Sequence, residues 1–252
     1  MTGRLTVVGL GPGPSDWVTP AARAAIESAE VILGYSAYTE RLTPRAGQTI
    51  EASDNREEIA RGRRALELAA QGKIVAVVSG GDPGVFAMAA AVFEALESGP
   101  ADWRHIDIRV EPGVTAMLAA AARIGAPLGH DFCAISLSNN LKPWPLIEKR
   151  LNHAAEGDFV ISLYNPASKA RPGLLTKAFN VLLRHCSPET AVVFARAVGR
   201  GDEHIEITTL SEAHSKPADM RTLVLVGSRS TRCIAKPGGT PWVYTPRYGD
   251  EA

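Results

Sequence analysis

Lys73-Ile-Val-Ala-Val-Val-Ser79, then Gly80-Gly81-Asp82-Pro83-Gly84, then Val85 through Leu96, is the stretch that decides the fold. The first part is a short apolar, β-branched run, the signature of a strand buried on both faces of a parallel sheet. In the last part Val85, Met88, Ala89, Val92 and Leu96 recur at spacings of three and four, which predicts a helix. Asp82 followed by Pro83 has the form of an N-cap and first-turn pair for that helix. A glycine-rich loop therefore sits at the carboxyl end of a strand, where open α/β sheets bind ligands. In the simplest account Asp82 only caps the helix and the glycines only make the turn. Gly80 and Gly81 before the cap point further, because they remove side chains where a ligand needs close backbone contact. Asp82 would then cap the helix and still offer an oxygen to a ligand ammonium.

Upstream, Leu5-Thr-Val-Val-Gly-Leu10 reads as a first strand that runs into Gly11-Pro12-Gly13-Pro14-Ser15-Asp16-Trp17, a loop. Thr19-Pro20 opens a helix to about Ser28, with Thr19 as N-cap, and Val31 to Gly34 is a second strand. Strand, helix and strand in this order make a right-handed βαβ unit. Gly9, Gly11 and Gly13 invite comparison with a dinucleotide-binding fingerprint and hence an NAD oxidoreductase. The spacing differs from G-x-G-x-x-G, Pro12 and Pro14 lack the N–H groups that would face a pyrophosphate, and no acid ends the second strand. A polar segment follows Tyr35-Ser-Ala-Tyr38 as far as Asn55. A helix from about Arg56 to Ala70 then places Ile59, Leu66 and Ala69 or Ala70 inward and Arg61, Arg63 and Arg64 on a solvated face.

Downstream, Ile106 to Val110 is a strand, and Glu111-Pro112-Gly113-Val114-Thr115-Ala116 leads into an Ala-rich helix ending near Gly125. Beyond it the pattern changes. Phe132 to Leu137 and Phe159 to Tyr164 are strands, and Leu174 to Leu183 is helical. Ala191 to Arg196 is a strand, Glu203 to Thr209 alternates as an antiparallel strand does, and Thr222 to Gly227 is the last strand. The Pro- and Gly-rich tail from Lys236 reads as loosely held. The chain is thus α/β, and its two halves differ, with parallel βα units first and a mixed sheet after them.

Bulk properties exclude several classes. The chain has 252 residues, enough for one large or two modest cores. Its 27 basic and 27 acidic side chains cancel, so no global field attracts nucleic acid or an anionic membrane. Cys133, Cys186 and Cys233 are too scattered for a C-x-x-C metal or redox unit and too few for a disulfide framework. The expectation is no bound metal and a cytoplasmic location. The start of the chain lacks the pattern of a signal peptide, and no apolar run reaches the roughly 18 residues of a membrane span.

Gly9-Leu-Gly-Pro-Gly13, Ser79-Gly-Gly-Asp-Pro-Gly84, Pro112-Gly-Val-Thr-Ala116 and Leu163-Tyr164-Asn165-Pro166, in this order and spacing, resemble the tetrapyrrole methylases, S-adenosylmethionine-dependent enzymes of corrin and siroheme synthesis. The likeness covers about residues 4 to 228. Gly129-His130-Asp131-Phe132, Ile135-Ser-Leu-Ser138, Pro143-Trp144, Lys149-Arg150-Leu151 and Tyr164-Asn-Pro-Ala-Ser168-Lys169 are similar to the members that methylate precorrin-3B at carbon 17 in cobalamin biosynthesis and contract the ring to precorrin-4. Gly80, Pro83 and Phe86 depart from the Ser, Ala and Tyr expected there in that subgroup and follow the wider family instead.

The resemblance implies two α/β domains, a parallel-sheet domain over residues 1–115 and a mixed-sheet domain over residues 116–252, with a methyl donor, S-adenosylmethionine, held in the cleft between them, and a homodimer. Pro12 would lie near that cleft, Gly80, Gly81, Asp82 and Val85 would hold the methionine part of the donor, and Thr115 and Ala116 would follow. Asn165, Ala197 and Thr222 would take the adenosine. Methyl transfer from a sulfonium needs alignment more than acid–base machinery, and alignment is worth roughly 7 to 11 kcal/mol. Ring contraction does need proton movement, for which Asp16, His130, Asp131 and Tyr164 are the candidates, although a histidine among apolar neighbours is most simply structural. The acceptor implied is a tetrapyrrole with many carboxylates, for which Lys142, Lys149, Arg150, Lys169, Arg171, Arg196 and Arg200 are cationic candidates. The alternatives are the cobalt-factor III methyltransferases of the anaerobic route, members acting on protein or RNA, and a non-catalytic nucleotide-binding module.

Overall fold

The computed structural model describes residues 3–167 and 172–248, and the chain divides into two compact units, Met1–Thr115 and Ala116–Ala252. In the first unit the elements are β1 (Arg4–Gly9), α1 (Pro20–Ser28), β2 (Val31–Tyr35), α2 (Ser36–Thr39), β3 (Thr49–Ser53), α3 (Glu58–Ala70), β4 (Ile74–Ser79), α4 (Met88–Glu97) and β5 (Asp107–Glu111). The strands form one parallel sheet in the order β3-β2-β4-β1-β5. Its central strands are buried on both faces, which is why β4 is a continuous apolar run. Val75 and Val77 pack with Leu66, Ala69, Val92 and Ala95 of α3 and α4, whereas Ala76 and Val78 pack with Ala22 on the α1 side. Each such valine removed from water contributes roughly 1.5 kcal/mol or more.

The connection after β1 leaves toward β2, and the one after β4 leaves the other way, toward β5. Neighbouring β1 and β4 therefore form a topological switch point, the place where such sheets take ligands. The α1 start follows the sequence closely: Thr19 Oγ1 accepts from the Ala22 N–H at 3.1 Å, and Pro20 is the first helical residue.

The second unit contains α5 (Ala116–Ile124), β6 (Gly125–Ala126), β7 (Phe132–Ser136), α6 (Trp144–Glu156), β8 (Val160–Tyr164), α7 (Leu174–Leu182), β9 (Ala191–Arg196), β10 (His204–Thr209), β11 (Thr222–Val226), β12 (Arg232–Ile234) and β13 (Trp242–Tyr244). The order of its main sheet is β10-β9-β11-β8-β7, with β7 and β8 parallel and the other pairs antiparallel. Helices α6 and α7 bury Ile147, Leu151, Leu175, Phe179 and Leu182 against Ile161, Leu163, Phe194 and Val224.

Five features differ from the sequence-based expectation. The helix after the Gly-Gly-Asp-Pro loop begins at Met88 rather than Val85, with Ala87 in extended backbone before it and Phe86 at φ 52°, which no helix accommodates. Asp82 is thus not its cap. Within α3, Ile59 is 42% exposed and Arg61 only 4%, the reverse of the expected faces. Burial pushes the Arg61 pKa down, while its guanidinium donates to Ser53 Oγ and the Asp54 carbonyl and contacts Met88 Sδ. The polar segment before Asn55 contains strand β3, whose edge position leaves it half-exposed and weakly patterned. Helix α6 occupies Trp144–Glu156, where the sequence reading names no element. Finally, the tail is held: β13 pairs with β12 and β6 in a small sheet, and Val243 is 1% exposed.

Candidate functional site

In the first unit, the loops after β1, β4 and β5 meet backbone to backbone. Gly11 and Gly81 exchange N–H···O bonds, both 3.1 Å, with φ 63° and 66°, a left-handed conformation that glycine adopts without cost. A Cβ on Gly9 would lie 2.7 Å from the Gly113 nitrogen, and one on Gly113 would fall on the Gly81 carbonyl oxygen. Glycine is therefore required at these positions for close approach of chains. Around Gly81 itself the space is open, the nearest atoms to an added Cβ being Thr115 Cα and Val114 O at 3.9 Å. Gly80 is different, since its missing side chain is replaced by the Tyr38 ring, 2.7 Å from where a Cβ would sit.

Asp82 joins two of the loops. Its Oδ1 accepts the Gly84 N–H at 2.8 Å and its Oδ2 accepts the Gly113 N–H at 3.0 Å. The carboxylate thus staples the end of β4 to the end of β5 instead of capping a helix. Thr115, 5% exposed, closes this group, and Pro12 and Val85, on the first and second loops, are half-buried. The structure brings Pro12, Gly80, Gly81, Asp82, Val85 and Thr115 to the carboxyl edge of one sheet. Asp16 lies on the exposed Ser15–Trp17 turn of the first loop, where its Oδ1 is 3.5 Å from the Ser15 hydroxyl.

In the second unit, the register gathers Tyr164, Asn165, Ala197 and Thr222 at one sheet edge. Ser136 pairs with Tyr164, Thr222 pairs with Arg196, and the β8–β11 register carried two residues past Leu163 and Val224 brings Asn165 toward Thr222. Asn165 (φ 52°) and Ala197 (φ 53°) hold left-handed backbone without being glycine, a strain of roughly 1 kcal/mol each that persists where surroundings enforce it. Asn165 Nδ2 donates to the buried Ser136 hydroxyl at 3.0 Å, and the Ala197 N–H donates to the Arg221 carbonyl at 2.9 Å. Thr222 donates to Asp219 Oδ1 at 2.9 Å. Tyr164 receives the Met117 N–H on its hydroxyl at 3.1 Å, and Ala116 begins the helix that presents that N–H.

Charges tie this edge together. Arg196 donates to Asp219 and Asp202, and Arg221 grips Asp202 through both oxygens. Arg221 and Arg196 hold the Asp202 pKa down at about 2. Burial works against the ionised form of Asp219, but hydrogen bonds from Arg196, Thr222 and Arg221 prevail and lower its pKa. Arg196, expected as a partner for substrate carboxylates, is therefore committed to two aspartates. Lys149, Arg150 and Arg200 are exposed, and Lys142 is half-buried with its pKa lowered by burial and by Arg150. Lys169 and Arg171, with Ser168, lie outside the described residues.

His130 stands apart from Tyr164. Its Nδ1 is 3.8 Å from the mostly exposed Asp131 carboxylate, and the pair precedes β7, whereas Tyr164 ends the parallel neighbour β8. Ser136 is the residue level with Tyr164, and at about 3.3 Å per residue His130 lies roughly 20 Å back along the strands. Burial pushes the Cys133 thiol up to about 11, so it stays protonated at neutral pH. Among the described residues no group of three or more His, Cys, Asp or Glu side chains is placed to hold a metal, and no helix is long and apolar enough to cross a membrane.

The sequence assigns no role to Arg41, to Tyr38 or to Ser136 within its Ile135–Ser138 stretch. Arg41 donates to the Leu10, Gly11 and Gly13 carbonyls at 2.9, 3.1 and 2.8 Å. Its partners are main-chain oxygens some thirty positions away, which leave no pattern in the sequence.

The sequence profile of the Tetrapyrrole (Corrin/Porphyrin) Methylases matches residues 4–214. The Precorrin-3B C(17)-methyltransferase of Sinorhizobium sp is 55% identical over 248 residues, 98% of each chain. A Salmonella typhimurium protein named "Probable cobalt-factor III C(17)-methyltransferase" is 43% identical over 229 residues, covering 90% of this chain and 93% of its own. The crystal structure of the methyltransferase CobJ superposes with a TM-score of 0.92 at 53% identity, over 97% of this chain and 100% of that one.

Proposed function

The chain belongs to the tetrapyrrole (corrin/porphyrin) methylases, and on that premise we propose that it is an S-adenosylmethionine-dependent C-methyltransferase acting at carbon 17 of precorrin-3B, with ring contraction to precorrin-4, in cobalamin biosynthesis. The observation that carries the acceptor is the end-to-end likeness to the Sinorhizobium enzyme. When bound, the donor supplies a methyl group on a sulfonium, already activated for transfer. The residues present fit such a donor. Gly81 leaves open space beside Thr115, and Asp82 brings a carboxylate of fixed orientation to the same loops as a counter-charge for an ammonium.

The chain's own work is placement. Gly9, Gly81 and Gly113 let three loops approach so closely that they form one backbone surface, and Asp82 locks their spacing. Asn165, Ala197 and Thr222 take the adenosine part, their backbone fixed by Ser136 and by the Arg196–Asp219 pair. Tyr164, at the same sheet edge as Asn165, handles the proton of ring contraction in preference to His130, which precedes the far end of β7. The protein works in the cytoplasm as a homodimer.

Mass spectrometry after incubation with methyl-deuterated donor tests this. Precorrin-3B gains one labelled methyl group and its fragment pattern shows contraction, while Tyr164→Phe yields methylated but uncontracted product. The Salmonella relative favours a second reading, in which cobalt-factor III is the acceptor. Label entering that compound and not precorrin-3B would establish it.

A further inference from the structure

From the contacts of the segment after β2 we infer that Arg41 is a positioning residue for the methyl donor, setting the spacing between the Gly-Pro-Gly and Gly-Gly-Asp-Pro loops. The inference rests on the donor reading above. Pro12 and Pro14 have no N–H, so the first loop has few donors with which to close on itself, and its carbonyls need donors from elsewhere. Arg41 supplies them from one planar fork. Nη1 reaches the Gly11 carbonyl, and Nη2 reaches those of Leu10 and Gly13.

The Gly11 carbonyl is the pivot. It accepts Arg41 Nη1 and the Gly81 N–H together, each at 3.1 Å, so a cationic donor polarises the same oxygen that ties the first loop to the second. Sheet order shows how far the segment reaches. Arg41 follows β2, the first loop follows β1, and β4 lies between these strands. Residues 38–41 therefore run across the carboxyl end of β4, Tyr38 over Gly80 and Arg41 onto the first loop. One short strap touches both loops. A lysine presents its three N–H donors from one nitrogen and lacks the two-nitrogen span of the fork.

The test compares wild type, Arg41→Lys and Arg41→Met for calorimetric S-adenosylhomocysteine affinity, for KM of each substrate and for kcat. Arg41→Met raises the donor KM and the homocysteine compound's Kd by about 10- to 100-fold, the scale expected for a loop displaced by about 1 Å. Arg41→Lys recovers less than half of that loss on a logarithmic scale, although its thermal midpoint approaches wild type. The acceptor KM stays within about threefold, a split that general loosening of the fold would not produce. Donor and acceptor constants rising together, or a donor KM in Arg41→Met within twofold of wild type, overturns the assignment. Wild-type protein that does not bind S-adenosylhomocysteine overturns the donor reading itself, a result separable from any failure of Arg41.

Discussion

The two candidate edges are built by opposite means. In the first unit, Gly9, Gly11, Gly81 and Gly113 bring main chains together where a Cβ would collide or a left-handed backbone is needed, while Asp82 staples the second loop to the third and the Arg41 fork holds the first. In the second unit, the turns at Asn165 and Ala197 are left-handed without glycine, and side chains hold them: Ser136 beneath Asn165, and Asp219, Asp202, Arg196 and Arg221 around Ala197 and Thr222. At the first edge charged side chains secure loops whose approach is set by steric exclusion, whereas at the second, charge and hydrogen bonding themselves set the backbone. Steric specification tolerates no added atom, whereas an electrostatic network loses strength in small steps.

The sharpest way to break this contrast is to add one methyl group to the first edge. Gly113→Ala places carbon on the Gly81 carbonyl and against Gly9. It should destabilise the unit by about 3 kcal/mol and abolish S-adenosylhomocysteine binding, read by chemical denaturation and calorimetry. Removing the staple comes next. Asp82→Ala should weaken donor binding by about 1 to 3 kcal/mol through loss of charge-assisted bonds to the Gly84 and Gly113 N–H groups and of the counter-charge. Normal affinity with a lowered melting temperature would reduce Asp82 to a structural part.

On the second edge glycine should have the opposite sign. Ala197→Gly relieves a left-handed alanine and should stabilise by about 0.5 kcal/mol, seen as a small rise in the thermal midpoint. The smallest effect concerns pH. The Asp202 pKa is lowered in the folded state, so its contribution is present above the unfolded value near 3.8 and is lost as pH falls toward about 2. The stability difference between wild type and Asp202→Asn should therefore be constant at neutral pH and shrink between about pH 4 and pH 2. A constant difference across that window would remove Asp202 from the network.

Much of the first unit was legible because its elements obey local rules. Thr19-Pro20 caps α1 as written, and the β4 run shows burial on both faces. Asp82-Pro83 misled for a physical reason: the carboxylate finds a better-placed donor in Gly113, 31 residues away, and Phe86 breaks the helical path. Local capping propensity yielded to a tertiary bond. The tail was unreadable because β13 pairs with Gly125–Ala126, a strand too short to show a pattern. Arg61 looked solvated because arginine on a helix usually is, and its partners are a loop carbonyl, a serine and a methionine contributed by other elements. Among the site residues, glycines in the loops were readable from spacing, while Arg41 and Ser136 act on main chain or on a neighbour set by register.

The central claim is that the glycine surface of the first unit receives the methyl donor. Selective nitrogen-15 labelling of glycine, followed by titration with S-adenosylhomocysteine and separately with NADH, tests it most directly. The amide resonances of Gly11, Gly80, Gly81 and Gly113 should shift with S-adenosylhomocysteine and stay unmoved by NADH. Binding that leaves those four resonances in place, or shifts produced by NADH instead, would contradict the account.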